Sequence, residues 1–115
     1  MHIPHITIST VCAEESIQFY TRYCGLAVKT ARGILTFMGN ADEENDTLIE
    51  LVAVEENGFC GSGISIGFEV EDAEAYHQKL EEEGLSPTPL KCPSPSTKFF
   101  YVTDPNGVRI QFIQH

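Results

Sequence analysis

"HITISTVCAEESIQFYTRYCGL", residues 5–26, and "SIGFEVEDAEAYHQKLEEEGL", residues 65–85, are two copies of one plan. Each begins as a short strand of alternating apolar residues, Ile6 and Ile8 in the first, Ile66, Phe68 and Val70 in the second. Each then turns acidic, at Glu14-Glu15 and at Glu71-Asp72, where the positive end of a helix dipole favours negative charge. Amphipathic helices follow, with Ile17, Tyr20 and Cys24 at helical spacing in one and Ala73, Tyr76 and Leu80 in the other. Gly25 and Gly84 close them, at positions where a positive φ is expected.

Three strand-like runs follow each helix: about 27–32, 34–39 and 47–54 in the first half, about 86–92, 98–103 and 108–114 in the second. "NADEEND" (40–46) and "DPNG" (104–107) carry turn chemistry between them. "LIELVAV" (48–54) lies over "RIQFIQH" (109–115), so the last strands correspond as well. The chain therefore reads as βαβββ twice, an α+β arrangement. The expected bounds are about 1–54 for module one, a linker over 55–63 and about 64–115 for module two. The linker "EENGFCGSG" contains three glycines and is expected to hinge. Neither half can bury its sheet and helix alone, which predicts that modules pair, within a chain or between chains.

The repeat also aligns candidate functional residues. His5 opens the first strand of one module and Ser65 that of the other; Glu50 and Gln111 share a place on the last strands. Along 108–112, Val108, Ile110 and Phe112 face one way and Arg109 and Gln111 the other. Glu50 faces opposite to Ile49 and Leu51. A single carboxylate in "TLIELVAV" asks for a reason, because burying an unpaired charge is costly.

Composition narrows the classes. The chain has 115 residues, enough for one core, with 42% apolar and 21% charged residues. Seven Lys+Arg against 17 Asp+Glu give a formal charge of −10, which repels phosphate backbones and anionic headgroups and argues against nucleic-acid or membrane partners. No apolar run approaches the roughly 20 residues of a membrane span. "MHIPHITIS" has no basic n-region, so a cytoplasmic location is expected. Cys12, Cys24, Cys60 and Cys92 are widely spaced without a CxxC pair and are read as free thiols.

The paired modules, together with "FYTRYCGL" (19–26), "IELVAV" (49–54) and "DPNGVRIQF" (104–112), resemble the vicinal oxygen chelate superfamily over essentially the whole chain. Its members include glyoxalase I, extradiol dioxygenases, fosfomycin-resistance enzymes and bleomycin-binding proteins. The resemblance, closest to glyoxalase I-like proteins, implies curved mixed sheets around a cavity and a homodimer binding a small molecule. It also implies a divalent metal (Zn, Ni, Co, Mn or Fe), held by one residue from each of four strands. Residue by residue those positions fall on His5, Glu50, Ser65 and Gln111, where relatives commonly have His at the third and Glu at the fourth. Gln111 lacks basicity, so the proton transfer of a glyoxalase-type lyase or isomerase would pass to Glu50. Glutathione or another thiol is the implied cosubstrate. Arg22 matches a place where some glyoxalases carry an arginine that contacts the glutathione carboxylate; the alternative is an ordinary exposed helix cation. Dioxygenase chemistry is disfavoured, since only His5 of its facial set remains.

A metal-free binding protein of the bleomycin-resistance type is the competing reading, as is a scaffold without chemistry. An acidic chain suits a cationic drug. Other residues have plainer expectations. The loop 86–98 contains Pro87, Pro89, Pro93 and Pro95 and is a stiff edge, from which Lys91, Cys92 and Lys98 could border a cavity. His77 is expected at the surface, and Tyr20 and Tyr76 in the core.

Overall fold

A computed structural model describes all 115 residues. It divides into two compact units, Met1–Gly61 and Ser62–His115. In the first, β1 (His5–Thr10) leads into α1 (Ala13–Cys24), then β2 (Ala27–Arg32), β3 (Leu35–Gly39) and β4 (Leu48–Ala53). In the second, β5 (Ser65–Glu69) leads into α2 (Ala73–Glu82), then β6 (Lys91–Ser94), β7 (Thr97–Thr103) and β8 (Arg109–Gln114). The sheet orders are β1-β4-β3-β2 and β5-β8-β7-β6, with β1–β4 and β5–β8 parallel and the other pairings antiparallel. The α+β, twice-βαβββ expectation is thus met. No helix is long and apolar enough to cross a membrane.

Alternation assigns the two faces of each sheet. In the first unit Ile8, Met38, Ile49 and Leu51 are buried together with Phe19 and Tyr20 of α1. The inward side of α1 also includes Ser16, whose hydroxyl lies 3.3 Å from that of Thr10, both fully buried. Ile17 and Cys24, expected on the core side, are only half-buried. The polar pair explains that rotation: Thr10 and Ser16 hydrogen-bond each other, so their hydroxyls can be buried without loss. In the second unit Phe100, Val102, Ile110 and Phe112 pack under Ala73 and Leu80 of α2. Tyr76 is half-buried there, its ring edge-on to Phe112 at 5.0 Å.

Helix ends follow the expected chemistry. Asp72 caps α2 by accepting from the Ala75 N–H at 3.0 Å, whereas Cys12 at the start of α1 makes no such side-chain cap. Gly25 and Gly84 take φ of 67° and 92°, left-handed values that favour glycine. In "DPNG", Asp104 Oδ1 accepts from the N–H groups of both Asn106 and Val108 at 2.8 Å, closing the turn into β8.

Two expectations need correction. The strand placed over about 86–92 is Lys91–Ser94 instead, with an irregular register. Pro87 and Pro89 have no N–H to give a ladder, so only Thr88 between them bonds β7, its N–H donating to the Tyr101 carbonyl. His77 is not a free surface residue. Its side chain is 18% exposed, its Nε2 lies 2.9 Å from the Thr88 carbonyl, and its ring stands edge-on to Phe100 at 5.0 Å. The glycine-rich linker is also partly anchored. Phe59 N–H donates to the Ser9 carbonyl at 2.6 Å, and a Cβ on Gly58 would come within 2.9 Å of the Val11 nitrogen.

Candidate functional site

The faces turned away from the helices carry the candidate residues. On β1 and β4 the register pairs His5 with Leu48 and Thr7 with Glu50, and β3 places Phe37 opposite Glu50. His5, Thr7, Glu50 and Phe37 therefore share one face. Glu50, 12% exposed at its side chain, accepts the Thr7 hydroxyl on Oε1 at 2.5 Å. The same oxygen lies 3.6 Å from His5 Nε2, and the His5 ring stands edge-on to Phe37 with centroids 5.8 Å apart. Oε2 has no partner in the chain and remains open to water. So the lone carboxylate of "TLIELVAV" has its reason: one oxygen is held by a hydroxyl and faces an imidazole 3.6 Å away, and the other is free.

The second unit repeats this register with different chemistry. β5 and β8 pair Ser65 with Arg109 and Gly67 with Gln111, and β7 places Tyr101 opposite Gln111. Ser65, Gly67, Gln111 and Tyr101 thus stand where His5, Thr7, Glu50 and Phe37 stand in the first unit. Gln111 donates from Nε2 to the Tyr101 hydroxyl at 3.5 Å, a long bond. Its Oε1 lies 3.2 Å from where a Cβ on residue 67 would sit, so glycine leaves the amide its room. Arg109 lays its guanidinium over the Tyr101 ring, 4.0 Å from the centroid.

The structure thus brings His5 and Glu50 together, and Ser65 and Gln111 onto one face of neighbouring strands. Arg22 joins neither pair. It lies exposed in the last turn of α1, near the helix's negative end, with its guanidinium 5.5 Å from the ring of neighbouring Tyr23. α1 covers the Ile8, Ile49 and Leu51 side of its sheet, opposite to Glu50. Lys98 lies 3.9 Å from Glu74 of α2, so it too is on the helix side of its sheet, opposite to Gln111. Lys91 and Cys92 are exposed on β6, and all four cysteines are free thiols.

A sequence model of the Glyoxalase/Bleomycin resistance protein/Dioxygenase superfamily matches residues 2–112. The chain belongs to this superfamily. Lactoylglutathione lyase of Neisseria meningitidis serogroup A is 26% identical to this glyoxalase-superfamily protein, over 99% of the chain and 91% of the enzyme. Among solved structures, a possible glyoxalase from Bacillus cereus superposes with a TM-score of 0.76 at 25% identity, covering 97% of each chain. The oxidase ChaP-H1 superposes with a TM-score of 0.77 at 16% identity, covering 100% of this chain and 96% of its own, a likeness of fold.

Superfamily members commonly use a divalent metal, so the donors matter. His5 and Glu50 are donor types that a borderline divalent ion accepts, and they lie side by side on one face; as a pair they fit such an ion. Ser65 and Gln111 offer neutral oxygens only. No group of three or more His, Cys, Asp or Glu side chains assembles as a metal site. An ion held by one imidazole and one carboxylate is held more weakly than in a full set of charged and imidazole ligands.

Thr7, Phe37, Tyr101 and Arg109 were not singled out as site residues from the sequence. The signal for Thr7 and Arg109 is the two-residue period, which places Thr7 beside His5 and Arg109 beside Gln111; Phe37 needs the β3–β4 register. Tyr101 needs the β7–β8 register, which sequence does not carry.

Proposed function

We propose that this superfamily member is a lyase or isomerase of the glyoxalase I type, acting on a small oxo compound or its thiol adduct. In this reading Glu50 takes a proton from one carbon and returns it to the neighbouring carbon. The observation that carries the proposal is the state of that carboxylate: Oε1 held by Thr7 and facing His5, Oε2 free. A base must be oriented and must keep an accessible oxygen, and Glu50 meets both demands. His5 is placed to hydrogen-bond the substrate oxygen. Gln111, an amide without basicity, cannot serve as that base. A divalent ion held by His5 and Glu50 would polarise the substrate carbonyl. The likeness to lactoylglutathione lyases supports the reaction class and glutathione or a related thiol as cosubstrate. A cytoplasmic homodimer completes the reading.

The test follows the hemithioacetal of methylglyoxal and glutathione in D₂O by proton NMR, with metal content measured before and after supplying Zn, Ni or Co. Glu50→Gln should lower turnover by about 100-fold or more, the usual worth of a positioned base. Glu50→Ala should lose whatever metal the wild type retains. Unchanged turnover in Glu50→Gln, or no turnover of any oxo adduct with each metal supplied, would remove the proposal.

The metal-free binding reading is favoured by one observation, the neutral Ser65 and Gln111 at the second pair of positions. Thermal stabilisation by a cationic glycopeptide, without turnover and without metal, would select it instead.

A further inference from the structure

Arg109 has no role in the proton transfer above, yet its placement is unusual. It is exposed on β8, in register with Ser65 and two residues before Gln111, so all three share a face. The guanidinium lies over the Tyr101 ring at 4.0 Å, and it takes part in no ion pair or hydrogen bond within the chain. This is in a protein with 17 acidic side chains for seven Lys+Arg, where a carboxylate partner would be easy to supply. Stacking fixes the plane of the guanidinium while leaving its edge donors open to solvent, and that fork matches the two oxygens of a carboxylate.

The neighbours limit the class of ligand further. The residues beside Arg109 in the ladder, Ser65 and Thr103 in register with it and Tyr101 and Gln111 on the same face, are all neutral, so one positive charge is available to one negative charge. The chain's formal −10 adds a repulsion that grows with ligand charge and disfavours a dianion such as phosphate. The amide of Gln111 can hydrogen-bond a second oxygen close to the carboxylate. We propose that Arg109, held flat on Tyr101, binds the carboxylate of a monoanionic small oxo compound, with Gln111 addressing the adjacent oxygen; a 2-oxo acid or its adduct has this chemistry. The proposal rests on the reading of the chain as a protein of small oxo compounds and supplies the charge class of the substrate.

The test uses the full chain and three probes: pyruvate, its neutral methyl ester, and inorganic phosphate. Binding is read from the Arg109 Nε–H and Gln111 amide resonances and by titration, so no turnover is needed. Pyruvate should shift both sets of resonances, and Arg109→Gln should weaken its binding at least tenfold while leaving the methyl ester unaffected. Tyr101→Leu should weaken pyruvate several-fold, and Tyr101→Phe, which keeps the ring, should restore it. Failure of pyruvate to bind, equal binding of acid and ester, stronger binding of phosphate, or indifference to Arg109→Gln would each overturn the assignment. Carboxylate binding at Arg109 without any turnover would instead refute the lyase reading alone. Turnover of 2-oxo acid adducts, unchanged in Arg109→Gln, would refute the carboxylate role alone.

Discussion

Thr7 and Glu50 are register partners in the one parallel pairing of the first sheet, and the Thr7 hydroxyl donates to Glu50 Oε1 at 2.5 Å. The bond decides which carboxylate oxygen is left for a substrate. Thr7→Val keeps the shape of the side chain and removes the donor. The fold should survive with a loss of about 1 kcal/mol, typical for one hydrogen bond near water. Turnover should fall much further, by about tenfold, because the carboxylate then samples several orientations. Urea unfolding and initial rates on the same preparation separate the two effects.

Gly67 and Gln111 are the matching pair in the second sheet, and there the relation is one of space. A Cβ on residue 67 would lie 3.2 Å from Gln111 Oε1, the mobile end of a side chain. Gly67→Ala should therefore leave stability unchanged or raise it by about 0.5 kcal/mol, since alanine orders the unfolded chain. The Gln111 amide resonances should move, and Gln111 should lose its long bond to Tyr101. A stability loss larger than about 2 kcal/mol would show that the amide cannot yield.

Phe112 is 1% exposed and lies against Phe68, Tyr76 and Phe100, with ring centroids between 5.0 and 6.2 Å. Phe112→Ala empties the centre of the second core and should cost about 3–5 kcal/mol. Phe112→Leu refills much of the volume and should recover over half of that. Denaturant midpoints with an unchanged slope are the measurement.

Asp104 is 4% exposed and its Oδ1 accepts two backbone N–H groups at 2.8 Å. Asp104→Ala leaves both donors without an acceptor and should destabilise by about 2 kcal/mol. Asp104→Asn retains a carbonyl oxygen there and should rescue most of it. If alanine and asparagine are equally harmful, charge rather than acceptor geometry holds the turn.

The duplication was legible because strand and helix periods are written in residue order: Ile6 and Ile8 against Ile66 and Phe68, then glycine after each helix. The shared faces of His5 with Glu50, and of Arg109 with Gln111, follow from alternation once the strands pair. Register was less legible. Pro87 and Pro89 mark 86–92 as a poor ladder, but they do not say that pairing resumes at Lys91. His77 illustrates the other limit. Its neighbours in sequence, Gln78 and Lys79, are exposed, and only tertiary structure brings Thr88 and Phe100 to its ring. Arg22 had the right residue type for substrate contact, but α1 carries it on the opposite side of the sheet from Glu50.

The ladder order of the first sheet has a consequence for the chain's birth. β1 remains a lone edge until β4 arrives, yet every pairing of that sheet is made between His5 and Ala53. On a ribosome delivering residues in order, the backbone bonding of the first sheet can therefore close before β8 is made. The Thr7–Glu50 contact needs no residue of the second unit, so the acid of the candidate site can be in place before Gln111 has been added.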